Sequence, residues 1–181
     1  MTILKNIKAD YHEVDETEED IALLGIKAAA AESLAKFNLA NQTVDNFQDA
    51  SGIDTGASTN ENLSAAAGYY HGNESNMTLI SVNTTAAAQP NLGDIVITYT
   101  NGAGTATLGT DLKAYITRNG STYTEFPLVA KGTSGGHTIA TGHGLDISGA
   151  PTGTAMRYKI ETLNQSASKV TRIQAVSSGW S

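Results

Sequence analysis

The residues with the most chemical potential are four histidines and a thin set of carboxylates. His137 and His143 stand six apart in a stretch dominated by glycine and threonine, and His12 and His71 are the other two. With a carboxylate such as Asp146, His137 and His143 form a metal site only if the fold makes all three converge. Nothing in the sequence forces that, so two exposed loop histidines is the favoured reading. Glu74, Asp94, Asp111, Glu125, Asp146 and Glu161 are the acids available for the paired carboxylates of glycoside hydrolysis, but Glu161 falls on the outward, charged face of its strand. Asp45, Asp49 and Asp54 invite a calcium reading, yet their spacing is not that of an EF-hand loop. Gly132-Thr133-Ser134-Gly135-Gly136 has the glycine density of a phosphate cradle without the Lys-Ser/Thr pair or the helix that must follow it. No serine lies in a nucleophile elbow, and the absence of cysteine removes thiol nucleophiles, disulfides and Cys-type zinc sites together. The expectation is a protein that is not an enzyme, with no catalytic residues, no metal and no cofactor.

The elements that would position these residues are mostly strands. Met156, Tyr158, Ile160 and Thr162 alternate with Arg157, Lys159 and Glu161, the period of a half-buried antiparallel strand. A polar loop over Asn164 to Ser168 leads to Val170 to Val176, which is β-branched and is expected to return alongside it, and Trp180 is expected to tie down the end of that strand. Met77 to Val82 reads as an earlier strand, and Asp94 to Thr100 is apolar at consecutive positions, as a strand buried on both faces would be. Asn101-Gly102 and Asn119-Gly120 are turn signals, the second joining Leu112 to Arg118 with Ser121 to Phe126. Thirteen of the eighteen glycines lie from Gly93 onward, which suits tight turns. Lys131 to His143 reads as a glycine-rich loop. The fold class expected is mainly β, an antiparallel β-sandwich of jelly-roll type, preceded by an N-terminal α-helix.

That helix is signalled by Thr17-Glu18-Glu19-Asp20, a hydroxyl N-cap followed by acids in the first turn. Ile21, Leu24, Ala28, Ala31 and Ala35 then follow 3-4-3-4 spacing, with a second apolar row over Leu23, Ala30, Leu34 and Phe37. Two fates are open to such a wide apolar arc: packing against symmetry-related copies or another protein, or packing on the chain's own sheet. The first is favoured, which makes Ile21, Leu24, Ala28, Ala31, Leu34, Ala35 and Phe37 the expected partner and oligomer interface. The chain divides accordingly into an arm and helix over 1–43, a polar connector over 44–70 and a β-sandwich over 71–181.

Charge is uneven. Residues 1–61 carry twelve Asp/Glu against four Lys, a net of −8, whereas residues 62–181 net +1. An acidic arm on a near-neutral body lacks the basic footprint that nucleic acid requires, and it suits contact with a basic protein surface. No stretch has the apolar core of a signal peptide or the length of a membrane span, so a soluble protein made in a cytosol is expected, with no membrane association.

Asp111-Leu112-Lys113-Ala114-Tyr115-Ile116-Thr117-Arg118-Asn119-Gly120, Asp146-Ile147-Ser148-Gly149-Ala150-Pro151-Thr152-Gly153-Thr154 and Arg157-Tyr158-Lys159-Ile160-Glu161-Thr162 resemble the C-terminal β domain of structural proteins in tailed bacteriophages. Arg172-Ile173-Gln174-Ala175-Val176 with Trp180-Ser181 resembles the same group, as do Val44-Asp45-Asn46-Phe47 and Gly52-Ile53-Asp54 less specifically. The resemblance implies a virion component, commonly a homotrimer: a capsid decoration (cement) or head-fibre protein whose partner is the major capsid protein or another virion protein. The alternative it leaves is a tail-fibre or receptor-binding module that recognises host surface glycans through the tyrosines at 69, 70, 99, 115, 123 and 158 and the loop over 131–144.

Overall fold

The computed structural model describes residues 21–181; the expected N-cap at Thr17 and the acidic arm before it lie outside the described residues. Helix α1 covers 21–36, and twelve strands follow in two antiparallel sheets. The molecule is therefore an antiparallel β-sandwich preceded by a helix, as the alternation and turn signals require. The larger sheet runs β2 (Asn62–Ser64), β3 (Tyr69–His71), β12 (Val170–Trp180), β6 (Leu92–Ala103), β10 (His137–Asp146) and β9 (Val129–Ser134), with β1 (Asn41–Asp45) also paired to β12. The smaller runs β4 (Met77–Ile80), β11 (Ala155–Thr162), β7 (Leu112–Thr117) and β8 (Thr124–Glu125), with β5 (Thr84–Thr85) also on β11.

Strand β11 alternates without interruption, burying Met156, Tyr158, Ile160 and Thr162. Its inward side chains meet Ile95, Ile97, Tyr99, Ile173 and Val176 of the larger sheet, and Phe126 and Trp180 close the layer. Strand β6 is buried on both faces for a reason visible in its neighbours. Ile95, Ile97 and Tyr99 face the smaller sheet, while Val96 joins Ile139 and Ala175 beneath Ile26 and Ala29 of the helix. Helix, large sheet and small sheet are thus three layers around β6.

Strand β12 does not return alongside β11. It crosses to the other sheet and inserts between β6 and the β1/β3 edge. The alternation of Val170 to Val176 showed that the segment is a strand but carried no information about which sheet accepts it. The crossing loop is held by Asp111, whose carboxylate accepts bonds from Lys169 Nζ (2.9 Å), Asn164 Nδ2 (2.8 Å) and the Thr107 amide (2.9 Å). The bonds from Lys169, then Asn164 and Thr107, hold its pKa down to about 2. A carboxylate whose pKa is lower folded than unfolded contributes stability that is complete above the unfolded value, about 3.9, and is lost as pH falls toward the folded value. Between pH 5 and pH 2 the parent is expected to lose about 2 kcal/mol that Asp111→Asn does not, measured by urea unfolding across a pH series. Parallel pH curves for the two proteins would contradict this account of the loop.

Three further expectations are corrected. Residues 44–70 are not a connector outside the body: they supply part of β1 and all of β2, and Phe47, Ile53 and Tyr70 are core residues. A segment of polar average composition belongs to the sandwich because a few spaced side chains reach the interior. Lys131 to His143 is not a loop but most of the β9–β10 hairpin, turned by Gly135 (φ +51°) and Gly136 (φ +74°) between the paired Ser134 and His137. Asn101-Gly102 is not a turn. Thr171 pairs with Asn101 while Val170 pairs with Ala103, so Gly102 is the extra residue of a β-bulge within β6. Asn119-Gly120 does turn the β7–β8 hairpin, with Gly120 at φ +79° and the side-chain Oδ1 of Asn119 accepting from the Ser121 and Thr122 amides.

Candidate functional site

The helix packs on its own sheet through one face and leaves the other bare. Ala22, Ile26, Ala29, Ala30 and Ser33 are buried against the sheet. Of the expected interface residues, Ile21 is 46% exposed, Leu24 66% and Leu34 36%, and Ala28, Ala31 and Ala35 are exposed with them. Six large hydrophobic side chains are exposed among the described residues; Ile21 and Leu24 stand on this stripe and Leu34 on the row beside it. Of the two fates weighed for the apolar arc, packing on the chain's own sheet holds for one face of the helix, and the other face is exposed. The stripe runs at 3-4-3-4 spacing from Ile21 to Ala35, the geometry of a two-helix seam. Lys27 and Lys36 are exposed beside it, and Glu32 bonds to Lys131 of β9.

Phe37 is the exception among the expected interface residues. Its ring stacks on His143 with centroids 4.6 Å apart and planes at 20°. His143 Nδ1 lies 2.8 Å from Asp94 Oδ2, and Ser33 Oγ approaches the same nitrogen at 3.4 Å. Burial pushes the Asp94 carboxyl above its ordinary range, and the bond to His143 opposes that shift. Serine, histidine and aspartate meet here, but not as a relay. A catalytic base needs its carboxylate on one ring nitrogen and its nucleophile on the other. Both contacts fall on Nδ1, and Ser33 is buried beneath the helix. The cluster fastens α1 to β6 and β10.

The other chemical candidates are each engaged locally. Asp146 accepts from the Ser148 amide (2.8 Å) rather than meeting His137 or His143. Asp45, Asp49 and Asp54 accept from the amides of Phe47, Ser51 and Ala57, turn contacts within their own loops, and Asp54 also pairs with Arg157 at 2.8 Å. No group of three or more His, Asp or Glu among the described residues is placed to hold a metal ion. Glu161 is less solvated than its strand face suggested: it accepts from Tyr115 Oη (2.9 Å) and Lys159 Nζ (2.7 Å), and Lys159 lies over the Tyr115 ring at 4.0 Å. Tyr70, Tyr99 and Tyr158 are core residues, which leaves Tyr69, Tyr115 and Tyr123 at the surface layers.

One residue with an unusual environment gave no signal in the sequence beyond being a cation on a strand. Arg172 projects from β12 onto the helix-covered face of the larger sheet, its guanidinium carbon 5.0 Å from the Tyr69 ring centroid. A Cβ at residue 102 would come within 2.7 Å of Arg172 Nε, so the bulge glycine makes the room that this side chain fills. No helix among the described residues is long and apolar enough to cross a membrane. No protein-family model matches the chain, and a search of curated proteins returns no match.

Proposed function

We propose that this chain is a virion structural component of the capsid-decoration or head-fibre kind, without enzymatic activity, which docks and self-associates through α1 and projects its β-sandwich outward. The observation that carries the reading is the outer stripe of α1. A helix already seated on its own sheet still presents Ile21, Leu24 and Leu34 to solvent across a floor of alanines. Exposed apolar stripes of this kind mark interaction surfaces, and small residues between large ones allow a second helix to approach closely. The resemblance of the β segments to phage structural proteins supplies the setting, with the major capsid protein or another virion protein as partner and a homotrimer as the working form.

The test uses the whole chain. Cutting at residue 44 would divide β1 and uncover Val96, Ile139 and Ala175, so a truncation would confuse docking with folding. Light scattering after size exclusion should give a trimer for the parent and a monomer for Leu24→Asp, with self-association weakened on the order of 100-fold or more. Binding to empty heads should fall with it. A monomeric parent that also fails to bind heads would end the proposal. The tail-fibre alternative rests on the outward rings of Tyr69, Tyr115 and Tyr123, and density on the tail of intact particles would favour it over the head.

A further inference from the structure

We propose that the pocket between α1 and the outer face of the larger sheet, with Arg172 in its wall, binds a small hydroxylated monocarboxylate of the sugar-acid class. This site stands whether or not the helix docks on a virion. The cavity measures about 530 Å³, in the size range of small-molecule sites, and Arg172, Gln174, Thr98, Thr100 and Tyr69 contribute to it.

Charge is the first argument. The described residues carry an excess of acids, yet no Asp or Glu lines this pocket, and Arg172 is its single Lys or Arg. Every other Lys or Arg of the β body has an oxygen partner. Lys113, Lys131, Arg157, Lys159 and Lys169 pair with carboxylates, and Arg118 is surrounded by carbonyls. Arg172 has neither among the described residues, and its covered Nε is without a hydrogen-bond partner. A guanidinium presents paired donors in the geometry of a carboxylate, so an oxyanion is the ligand it best accommodates.

Construction is the second. Strand β12 is irregular on both sides of Arg172. Gly102 is the extra residue opposite Val170 and Thr171, and Gln174 is the extra residue between Ile173 and Ala175. Bulges re-aim side chains and concentrate near sites. The first gives the guanidinium its room, and the second brings Gln174 into the pocket, where its Nε2 donates to Thr100 Oγ1 (2.6 Å) and its Oε1 is left without a partner. That oxygen is an acceptor for a ligand hydroxyl, which chloride or sulfate does not offer. A single guanidinium also matches one negative charge better than two. The histidine in the pocket's lining is His137, and His71 lies outside it.

The experiment is a titration of the intact chain with glucuronate, followed by amide chemical shifts, with glucose and glucose 6-phosphate as comparisons. Glucuronate should shift resonances of β12 and β6 around 98–102 and 172–175, glucose should not, and the phosphate should bind more weakly. Arg172→Leu should cost at least about tenfold in affinity. Gly102→Ala should cost a similar factor by displacing the guanidinium, and thermal melts of both variants would show that the fold persists. Glucuronate binding unchanged in Arg172→Leu, equal binding of glucose, or no shifts in these strands would overturn the site. Stronger binding of the phosphate would overturn the monocarboxylate class.

Discussion

Replacing Arg118 with methionine is expected to destabilise the protein by about 3–5 kcal/mol, because four backbone carbonyls and a side-chain amide lose their shared donor at once. Arg118 closes β7 and is only 2% exposed. Its Nη1 donates to Pro90 O (2.8 Å) and Asn91 Oδ1 (3.3 Å), its Nε to Pro151 O (3.2 Å), and its Nη2 to Ser148 O (2.7 Å) and Ala150 O. No carboxylate takes part. The charge is solvated by carbonyl dipoles from two separate loops, which the guanidinium binds to each other. Methionine fills much of the space but supplies no donors, so the Pro90 carbonyl is left buried and unpaired and the part-buried acceptors lose their shared donor. Lysine retains the charge, yet a single ammonium has three donors and no planar fork, so Arg118→Lys should fall between the two. For a chain of this length the methionine variant should melt roughly 6–15 °C lower. Denaturant unfolding gives the free energy directly. A methionine variant within about 1 kcal/mol of the parent would mean that water or loop rearrangement satisfies those carbonyls, and that Arg118 is not the clamp its contacts describe.

Trp180→Ala should rank beside it, at about 3–5 kcal/mol. The indole is 3% exposed and sits with Met156 and Tyr158 in the main core. Its backbone pairs with Asn41 of β1 and Gly93 of β6, and its carbonyl accepts from the Ala40 amide (2.8 Å). Alanine keeps that ladder and opens a large cavity, whereas Trp180→Phe should recover roughly half the loss by refilling part of it. Because Trp180 is the only tryptophan, its variants must be followed by circular dichroism rather than indole fluorescence. A loss below about 1 kcal/mol in the alanine variant would show that the two sheets collapse onto the space, and that the ring is not what fixes this end of the sandwich.

Much of the body was legible because local pattern and final environment agree. Alternation in β11 matches its burial residue by residue, and the unbroken apolar run of β6 matches a strand with the helix on one side and the smaller sheet on the other. The failures have a common physical origin: hydrophobic period locates strands but does not assign their partners. Nothing in Val170 to Val176 distinguishes pairing with β11 from pairing with β6. The β9–β10 hairpin was hidden by its glycines, although Gly135-Gly136 between two threonine-containing runs is itself a two-residue hairpin signal. Gly142 in that hairpin is where a Cβ would come within 2.8 Å of Phe126, so the glycine is demanded by core packing rather than by a turn. The apolar stripe of α1 could be read from spacing alone. The Arg172 pocket could not, since it depends on two bulges that only pairing register exposes.

The position of β12 inside the larger sheet has a consequence for folding during synthesis. Until residue 180 has emerged, β6 has one unsatisfied edge, and β1 and the β2–β3 pair have no sheet to join. The larger sheet is completed from its middle by a strand that follows all its other strands in the sequence. The apolar run Asp94 to Thr100 therefore keeps an open side, a template for wrong pairing, for longer than in a sheet that finishes at a rim.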